Sequence, residues 1–189
     1  MRRLLCLFVV FIIALSCGSK RDKAQGLLET KINDYLGRQL AIPDKIKTYN
    51  AFNRIILDSL EISISNYKIY SYVDASCPTC IKSTNKWDSL TVEFVEFNVP
   101  IILILESADN FESLKYYCES GGIKNFSYPF FLDMEGQFFM KNAEFMNEHK
   151  HFETVLTNRE NEILMFGNPI HSEAIKESYL KYLAKNAKK

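Results

Sequence analysis

Apolar residues along the chain fall into short blocks that alternate between strand and helix patterns. Lys68–Val73 is rich in β-forming residues, and Pro100–Leu105 is continuously apolar, as expected of a strand buried on both faces. Between these blocks, from Cys80 to about Phe97, apolar residues recur at helical spacing. The inward stripe of this helix is predicted to consist of Ile81, Thr84, Trp87, Leu90 or Thr91, and Phe94.

The second half of the chain extends this alternation and then changes it. The pattern first predicts a helix that is capped by Asp109 or Asn110 and ends at Gly121-Gly122. Three strands are predicted after it, at Tyr128–Asp133, Phe152–Thr157 and Glu162–Phe166. A last helix, capped by Ser172, follows them. Short β–α crossovers imply parallel strands, whereas the last two strands read as an antiparallel hairpin. The predicted fold class is therefore α/β, with a central mixed sheet flanked by helices.

The segment before these elements is less regular. We predict an N-terminal extension at residues 27–66 and a main domain at residues 67–189. Within the extension, the pattern predicts a helix at Leu27–Leu40 broken by Gly37, a short strand at Leu40–Asp44, and an apolar segment at Ile55–Ile64 that fits either a helix or a strand.

The first residues have the pattern of an export signal. A basic Met1-Arg2-Arg3 precedes an apolar run, Leu4–Leu15, that is too short to span a membrane readily. The run ends at Ala14-Leu15-Ser16-Cys17, which resembles a bacterial lipobox although Ala14 stands where leucine is usual. A plain cleaved signal peptide or an uncleaved anchor is the alternative interpretation.

A lipobox at Cys17 would determine where in the cell the protein is located. Residues 1–16 would be removed as a signal peptide, Cys17 would be acylated, and residues 17–26 would tether the domain to a lipid bilayer. The protein would then work in the cell envelope of a Gram-negative-type bacterium, facing the periplasm or the surface. In such an oxidising compartment a disulfide can persist.

Composition and charge narrow the classes of function. The hydrophobic fraction is 47% and the aromatic fraction 13%, which indicates a globular protein rather than a disordered one. Lys and Arg together number 23, as do Asp and Glu. This balance gives no basis for nucleic acid as a partner.

The pair of cysteines in Cys77-Pro78-Thr79-Cys80 is the strongest chemical signal in the chain. It follows the first predicted strand and begins the predicted helix, where unpaired backbone N–H groups and the helix dipole stabilise a thiolate. A passive disulfide is one alternative. A zinc site is another, but it needs four ligands, so Cys118 and a histidine would have to join the pair.

In these features the chain resembles the thioredoxin fold, in the form found in extracytoplasmic redoxins of the TlpA and ResA type. The resemblance covers roughly residues 40–183. It rests on the strand before Cys77, the Cys-x-x-Cys at the helix start, the central strand Val99–Leu105, the extra segment Tyr128–Gly136, and the closing hairpin from Thr154 to Leu164.

The resemblance implies a thiol–disulfide oxidoreductase whose only redox group is the Cys77–Cys80 disulfide, with no other cofactor and no metal. Cys77 would attack a partner disulfide, and Cys80 would resolve the mixed disulfide. Pro78 and Thr79 complete the motif, and Pro78 stiffens its turn because it has no N–H to donate. Trp87 would be part of the core or a shield over the disulfide.

Three positions differ from the thioredoxin pattern. Phe152 stands where thioredoxins carry a cis-proline that faces the motif, so we predict a trans bond there and a partner-facing Phe152. Ser76 replaces the tryptophan that often precedes the first cysteine. Ser71 takes the place of a buried acid that helps proton transfer, and Asp74 is the nearest carboxylate that could substitute.

Two functions follow from this sequence. The first is a membrane-anchored oxidoreductase that reduces or exchanges disulfides in exported proteins, supplied by a membrane or periplasmic electron donor. The alternative is a non-catalytic thioredoxin-like binding module with a structural Cys-x-x-Cys. Peroxidase activity is disfavoured, because Tyr70 and Asp74 occupy the places of the proline and threonine of the peroxidatic pattern.

Overall fold

The computed structural model describes residues 28–52, 59–148 and 150–186. The predicted signal peptide (1–16), the tether (17–26) and its Cys17 lie outside the described residues. The chain divides into two units, Met1–Leu36 and Gly37–Lys189. The described part of the first unit is helix α1, residues 28–35. Within the described ranges, the helices are too short or too polar to cross a bilayer.

The second unit is a mixed sheet flanked by helices. Its strands are β1 (Lys47–Tyr49), β2 (Tyr67–Asp74), β3 (Ile101–Glu106), β4 (Phe130–Leu132), β5 (Thr154–Asn158) and β6 (Ile163–Phe166). Its α-helices are α2 (Ser59–Ile64), α3 (Pro78–Lys82), α4 (Thr84–Phe94), α5 (Glu112–Glu119), α6 (Gln137–Lys141), α7 (Ala143–Met146) and α8 (Glu173–Asn186). Two 3₁₀ turns, Val95–Phe97 and Lys150–Glu153, complete it.

The six strands form one sheet in the order β1-β4-β3-β2-β5-β6. β2 and β4 both pair with β3 in parallel, whereas β5 pairs antiparallel with both β2 and β6. The predicted α/β class, the parallel pair and the closing hairpin are therefore confirmed. β4 is the predicted extra strand before that hairpin.

The core lies where the hydrophobic pattern placed it. Ile101 to Leu105 are at most 2% exposed, in agreement with a strand covered on both faces. The whole predicted stripe of the helical segment is buried, and Trp87 and Phe94 are 1% and 0% exposed. Ser172 caps α8 as predicted, since its Oγ accepts from the Ile175 backbone N–H. Tyr179 and Leu183 of this helix are fully buried.

The structure divides the predicted helix after the cysteines into two. Ser83 separates α3 from α4, and its hydroxyl donates to the Cys80 carbonyl oxygen at 2.5 Å. A serine that bonds back to the preceding turn competes with the regular helical ladder, which explains the break. The pattern could not show this, because both helices keep the same buried stripe.

The prediction of a strand at Leu40–Asp44 is wrong. Gln39 forms only an isolated bridge with Glu162, and the backbone N–H of Leu40 donates to the Asn161 carbonyl. The next part of the segment holds Pro43, which has no N–H for a ladder. The strand that precedes β2 is β1, a short edge strand paired antiparallel with β4.

Phe152 also lies in a different element from the one predicted. It belongs to the 3₁₀ turn Lys150–Glu153, and β5 starts two residues later at Thr154. No peptide bond among the described residues is cis, so the bond before Phe152 is trans, as predicted.

Candidate functional site

The two motif cysteines lie at the start of α3, directly after β2. Cys77 is the N-cap of the helix and Pro78 occupies its first turn, where a missing N–H costs nothing. Cys77 and Cys80 form a disulfide with their Cα atoms 5.2 Å apart. The Cys77 sulfur also accepts from the Cys80 backbone N–H at 3.3 Å and lies 3.2 Å from the Thr79 hydroxyl. After reduction, both groups would stabilise a Cys77 thiolate.

The loop between β2 and α3 is fixed to the end of β3. The Ala75 N–H donates to the Glu106 carbonyl at 2.7 Å, and the Ala108 N–H donates to the Ser76 hydroxyl at 2.7 Å. Ser76, which replaces the expected tryptophan, thus ties the loop down instead of covering the disulfide. The cysteines are therefore held on a rigid support at the carboxyl end of the parallel strands.

The two sulfurs face different surroundings. Cys80, Thr79 and Trp87 line a cavity of about 370 Å³, here called the Cys80 cavity. Cys77 is not among the residues that line it, although it is partly exposed. Both cysteines are half-buried, and of the two only Cys80 borders this half-open cavity. Trp87, at 1% exposure, is both core and wall of this cavity, which agrees with its prediction.

The far side of the Cys80 cavity is built by the segments around β5 and β6. Lys150 and Glu153 come from the 3₁₀ turn before β5, and Asn168 and His171 from the loop after β6. Burial raises the pKa of the Glu153 carboxyl above its usual range, and Lys150 partly opposes this. The cavity thus places a partly desolvated carboxyl on the side of Cys80.

Two polar residues that line the cavity, Ser71 and Tyr72, have side-chain hydrogen-bond partners. The hydroxyls of Ser71 and Thr154 lie 2.8 Å apart in a buried contact between β2 and β5. Tyr72 donates its hydroxyl to the Glu106 carboxylate and packs against the rings of Phe138 and Phe139. Burial and this bond raise the pKa of Tyr72, so it stays a neutral donor.

One predicted site residue, Phe152, lies elsewhere than expected, whereas Asp74 is among the residues that line the Cys80 cavity. Phe152 is 1% exposed and meets Phe166 edge to face at 4.7 Å between ring centroids, so its side chain does not face a partner. Its bulk and apolar character favour the core over the surface. Asp74 is exposed, and its carboxylate accepts from the Ser76 backbone N–H at 2.8 Å, as expected of a turn.

The sequence reasoning missed Glu153 and His171, which both line the Cys80 cavity. A signal for Glu153 was present, since it adjoins Phe152 in the segment expected to face the motif. His171 gave no comparable signal, because only the fold brings the loop after β6 to the cysteines. Within the described ranges, no three histidine, cysteine, aspartate or glutamate side chains form a cluster that could hold a metal.

Cys118 lies apart from this site, in α5. It is a free thiol, half-buried, and burial together with Glu119 raises its pKa to about 11. Because only the thiolate is nucleophilic, Cys118 should be almost inert near neutral pH.

Alkylation of the reduced protein tests this difference. With iodoacetamide at pH 7.5, we expect Cys77 to be modified at least about 10-fold faster than Cys118, since its sulfur has two donors nearby. Peptide mass spectrometry as a function of time measures both rates, and the Cys118→Ser variant provides the control. Equal rates would show that the helix start does not activate Cys77.

The strand order, the late antiparallel hairpin and a Cys-x-x-Cys disulfide at the helix after a central strand define a thioredoxin-like fold. No protein-family model matches the chain, and no curated protein matches it significantly. The fold is shared with a candidate thiol:disulfide interchange protein DsbE from Chlorobium tepidum, with 11% identity over 78% of this chain and 97% of that one and a TM-score of 0.54.

Two further solved structures are similar at lower scores. A candidate electron transfer protein from Aquifex aeolicus VF5 has 16% identity over 79% of this chain and 97% of its own, with a TM-score of 0.48. The peroxidoxin BcpB from Mycobacterium tuberculosis has 20% identity over 67% of this chain and 84% of its own, with a TM-score of 0.46.

Proposed function

We propose that the protein is a thiol–disulfide oxidoreductase that reduces or exchanges disulfides in other exported proteins. The observation that carries this proposal is the asymmetry of the Cys77–Cys80 pair. Cys77 caps α3, with a hydroxyl and a backbone N–H beside its sulfur, whereas Cys80 lies within the helix and borders the Cys80 cavity. This is the division of labour that an attacking and a resolving cysteine need.

The reaction balances as a dithiol–disulfide exchange. The Cys77 thiolate attacks one sulfur of a partner disulfide, so a mixed disulfide forms and the other partner sulfur leaves as a thiolate and takes a proton. Cys80 then loses its proton and attacks Cys77, which forms the Cys77–Cys80 bond and releases the second partner thiol. The partner disulfide gains two electrons, the cysteine pair loses two, and a dithiol protein donor restores the reduced pair.

The setting of this reaction is also part of the proposal. The basic start, the apolar run and the lipobox-like sequence at Cys17 favour export and lipid anchoring, in a compartment where substrate disulfides exist. The reductive direction is favoured by the resemblance to TlpA-type proteins.

A non-catalytic binding module is the second candidate. The observation that favours it is the buried Phe152 with its trans bond, because no proline then faces the motif to hold the backbone of a partner. In that case the Cys77–Cys80 bond would be a structural closure of a short loop.

Two measurements separate these functions. For the oxidoreductase we expect the Cys80→Ser variant, expressed in cells, to accumulate mixed disulfides between Cys77 and exported proteins that dithiothreitol releases. The Cys77→Ser/Cys80→Ser double variant is the matched control and should trap nothing. A redox potential of the Cys77–Cys80 pair far below about −300 mV, typical of structural disulfides, together with no trapped partner, would refute the oxidoreductase.

A further inference from the structure

A second cavity, of about 540 Å³, lies at the end of the sheet away from the cysteines. It is here called the asparagine cavity, because four asparagines line it: Asn66, Asn98, Asn158 and Asn186. β2 runs from Tyr67 on the wall of this cavity to Asp74 on the wall of the Cys80 cavity, a span of about 23 Å at ~3.3 Å per residue. The two cavities are therefore separate sites.

Segments that are remote in sequence build the walls of the asparagine cavity. They are the end of α2, the start of β2, the end of the Val95–Phe97 turn, the turn between β5 and β6, and the end of α8. The fold as a whole, rather than one loop, thus determines its shape. Its volume lies within the range of roughly 300–1,000 Å³ that is usual for sites of small ligands.

A buried lysine holds two of these walls together. Lys68 is 1% exposed, and its ammonium donates to the Arg159 carbonyl at 2.8 Å and to the Ser63 carbonyl at 3.4 Å. The first carbonyl belongs to the β5–β6 turn and the second to α2. The Tyr70 hydroxyl fixes the same turn, since it donates to the Asn161 side-chain oxygen at 2.9 Å. The asparagine cavity is therefore preformed.

The lining is polar and has a balanced charge. Eight of its ten residues are polar, and Arg159 and Glu160 contribute one charge of each sign. Within the described ranges, the side-chain amides of Asn66 and Asn98 are exposed and have no protein partner. Each amide offers two donors and an acceptor oxygen, and a hydroxyl group can pair with either. The lining thus matches a neutral ligand that is rich in hydroxyls.

The apolar part of the lining is small and largely aromatic. Phe97 and Tyr67 bring rings to the wall, and Tyr182 meets Tyr67 edge to face at 6.2 Å between ring centroids. A sugar ring has apolar C–H groups on its face and hydroxyls at its rim, so it can pack on an aromatic ring and bond to amides at once. An anion would need several cations, and an oily ligand would need an apolar wall.

We propose that the asparagine cavity binds a neutral oligosaccharide. The amides of Asn66 and Asn98 bond to its hydroxyls, and a sugar ring packs on Phe97 or Tyr67. No covalent bond changes in this step. Because the cavity lies at the other end of the sheet, a bound glycan leaves Cys77 accessible to a partner disulfide. The site therefore goes beyond the proposed redox function and does not depend on it.

Titration with three neutral trisaccharides tests the proposal: maltotriose, cellotriose and tri-N-acetylchitotriose. The full chain is kept in a zwitterionic detergent that carries no sugar. We expect at least one of the three to bind with a Kd below about 1 mM in isothermal titration calorimetry. In ¹⁵N–¹H correlation spectra the same sugar should shift the side-chain amide signals of Asn66 and Asn98, and the backbone amide signal of Cys77 should not move.

Matched variants locate the binding. The double variant Asn66→Ala/Asn98→Gly removes both amides and should weaken binding at least about 10-fold, because two hydrogen bonds are lost. Glycine suits position 98, where φ is 53°. Asn147→Ala removes an exposed asparagine at the end of α7 and should bind the sugar as the parent does.

Either of two results would overturn the inference. One is that none of the three sugars shows saturable binding. The other is binding that the double variant leaves unchanged, since the sugar would then occupy another surface. A failure of the proposed redox function looks different. The Cys77→Ser/Cys80→Ser variant should still bind the sugar like the parent, whatever the trapping experiment shows.

Discussion

Replacement of Cys77 by serine is expected to abolish disulfide reductase activity. With insulin as substrate and dithiothreitol as electron donor, the rate should fall to that of dithiothreitol alone, a loss of roughly 100-fold or more. A serine hydroxyl is not ionised near neutral pH, so no nucleophile remains beside the Thr79 hydroxyl and the Cys80 N–H. Precipitation of the reduced insulin chains, followed by turbidity, measures the rate.

Two controls separate loss of chemistry from loss of structure. Cys118→Ser should retain the parent rate, because this thiol lies in α5 and its pKa is raised to about 11. The variant Cys77→Ser also loses a disulfide, but closure of so short a loop contributes only about 2 kcal/mol. Its far-UV circular dichroism should therefore match that of the parent. Full activity without Cys77 would contradict the proposed attack.

The centre of the fold could be predicted because its signals are local. β2 and β3 are apolar runs of strand length, and the stripe from Ile81 to Phe94 keeps helical spacing through the break at Ser83. Burial on both faces of a parallel sheet leaves no room for alternation, so the sequence has to be continuously apolar there. The position of the site could be predicted for the same reason, because the two cysteines lie between the first of these strands and the helical stripe.

The edges of the sheet could not be predicted in the same way. Lys47–Tyr49 has no distinctive pattern, because only pairing with β4 makes it a strand. Leu40 looks like part of a strand since it is apolar, yet its burial of 2% exposure comes from packing beside the hairpin. Edge strands depend on the partners that the fold supplies, and those partners are remote in sequence.

The residues on the wall of the Cys80 cavity could not be predicted from the sequence either. Glu153 and His171 lie more than 70 residues after the motif, and no short pattern links them to it. The position opposite the motif was predicted correctly as a segment, but the side chain expected to matter was Phe152. The structure buries Phe152 against Phe166, whereas its neighbour Glu153 lines the cavity.

Truncation of Phe152 to alanine is expected to destabilise the protein strongly. Phe152 packs edge to face on Phe166, which in turn contacts Phe145 at 5.7 Å between centroids. Removal of a fully buried phenylalanine costs about 3–5 kcal/mol of unfolding free energy. In a domain of this size that corresponds to a decrease in melting temperature of about 10 °C. Urea unfolding and differential scanning calorimetry measure both quantities.

Matched variants decide whether Phe152 acts in the core or at a surface. Met140→Ala removes an apolar side chain that is 58% exposed and should change the unfolding free energy by less than about 0.5 kcal/mol. Phe152→Leu keeps most of the buried volume and should fall between the two. If Phe152→Ala instead keeps the parent stability and loses the trapped partners, the residue faces a partner after all. A large loss of stability in Phe152→Ala alone assigns the residue to the core, and leaves the recognition of partners to Cys77 and the exposed residues around it.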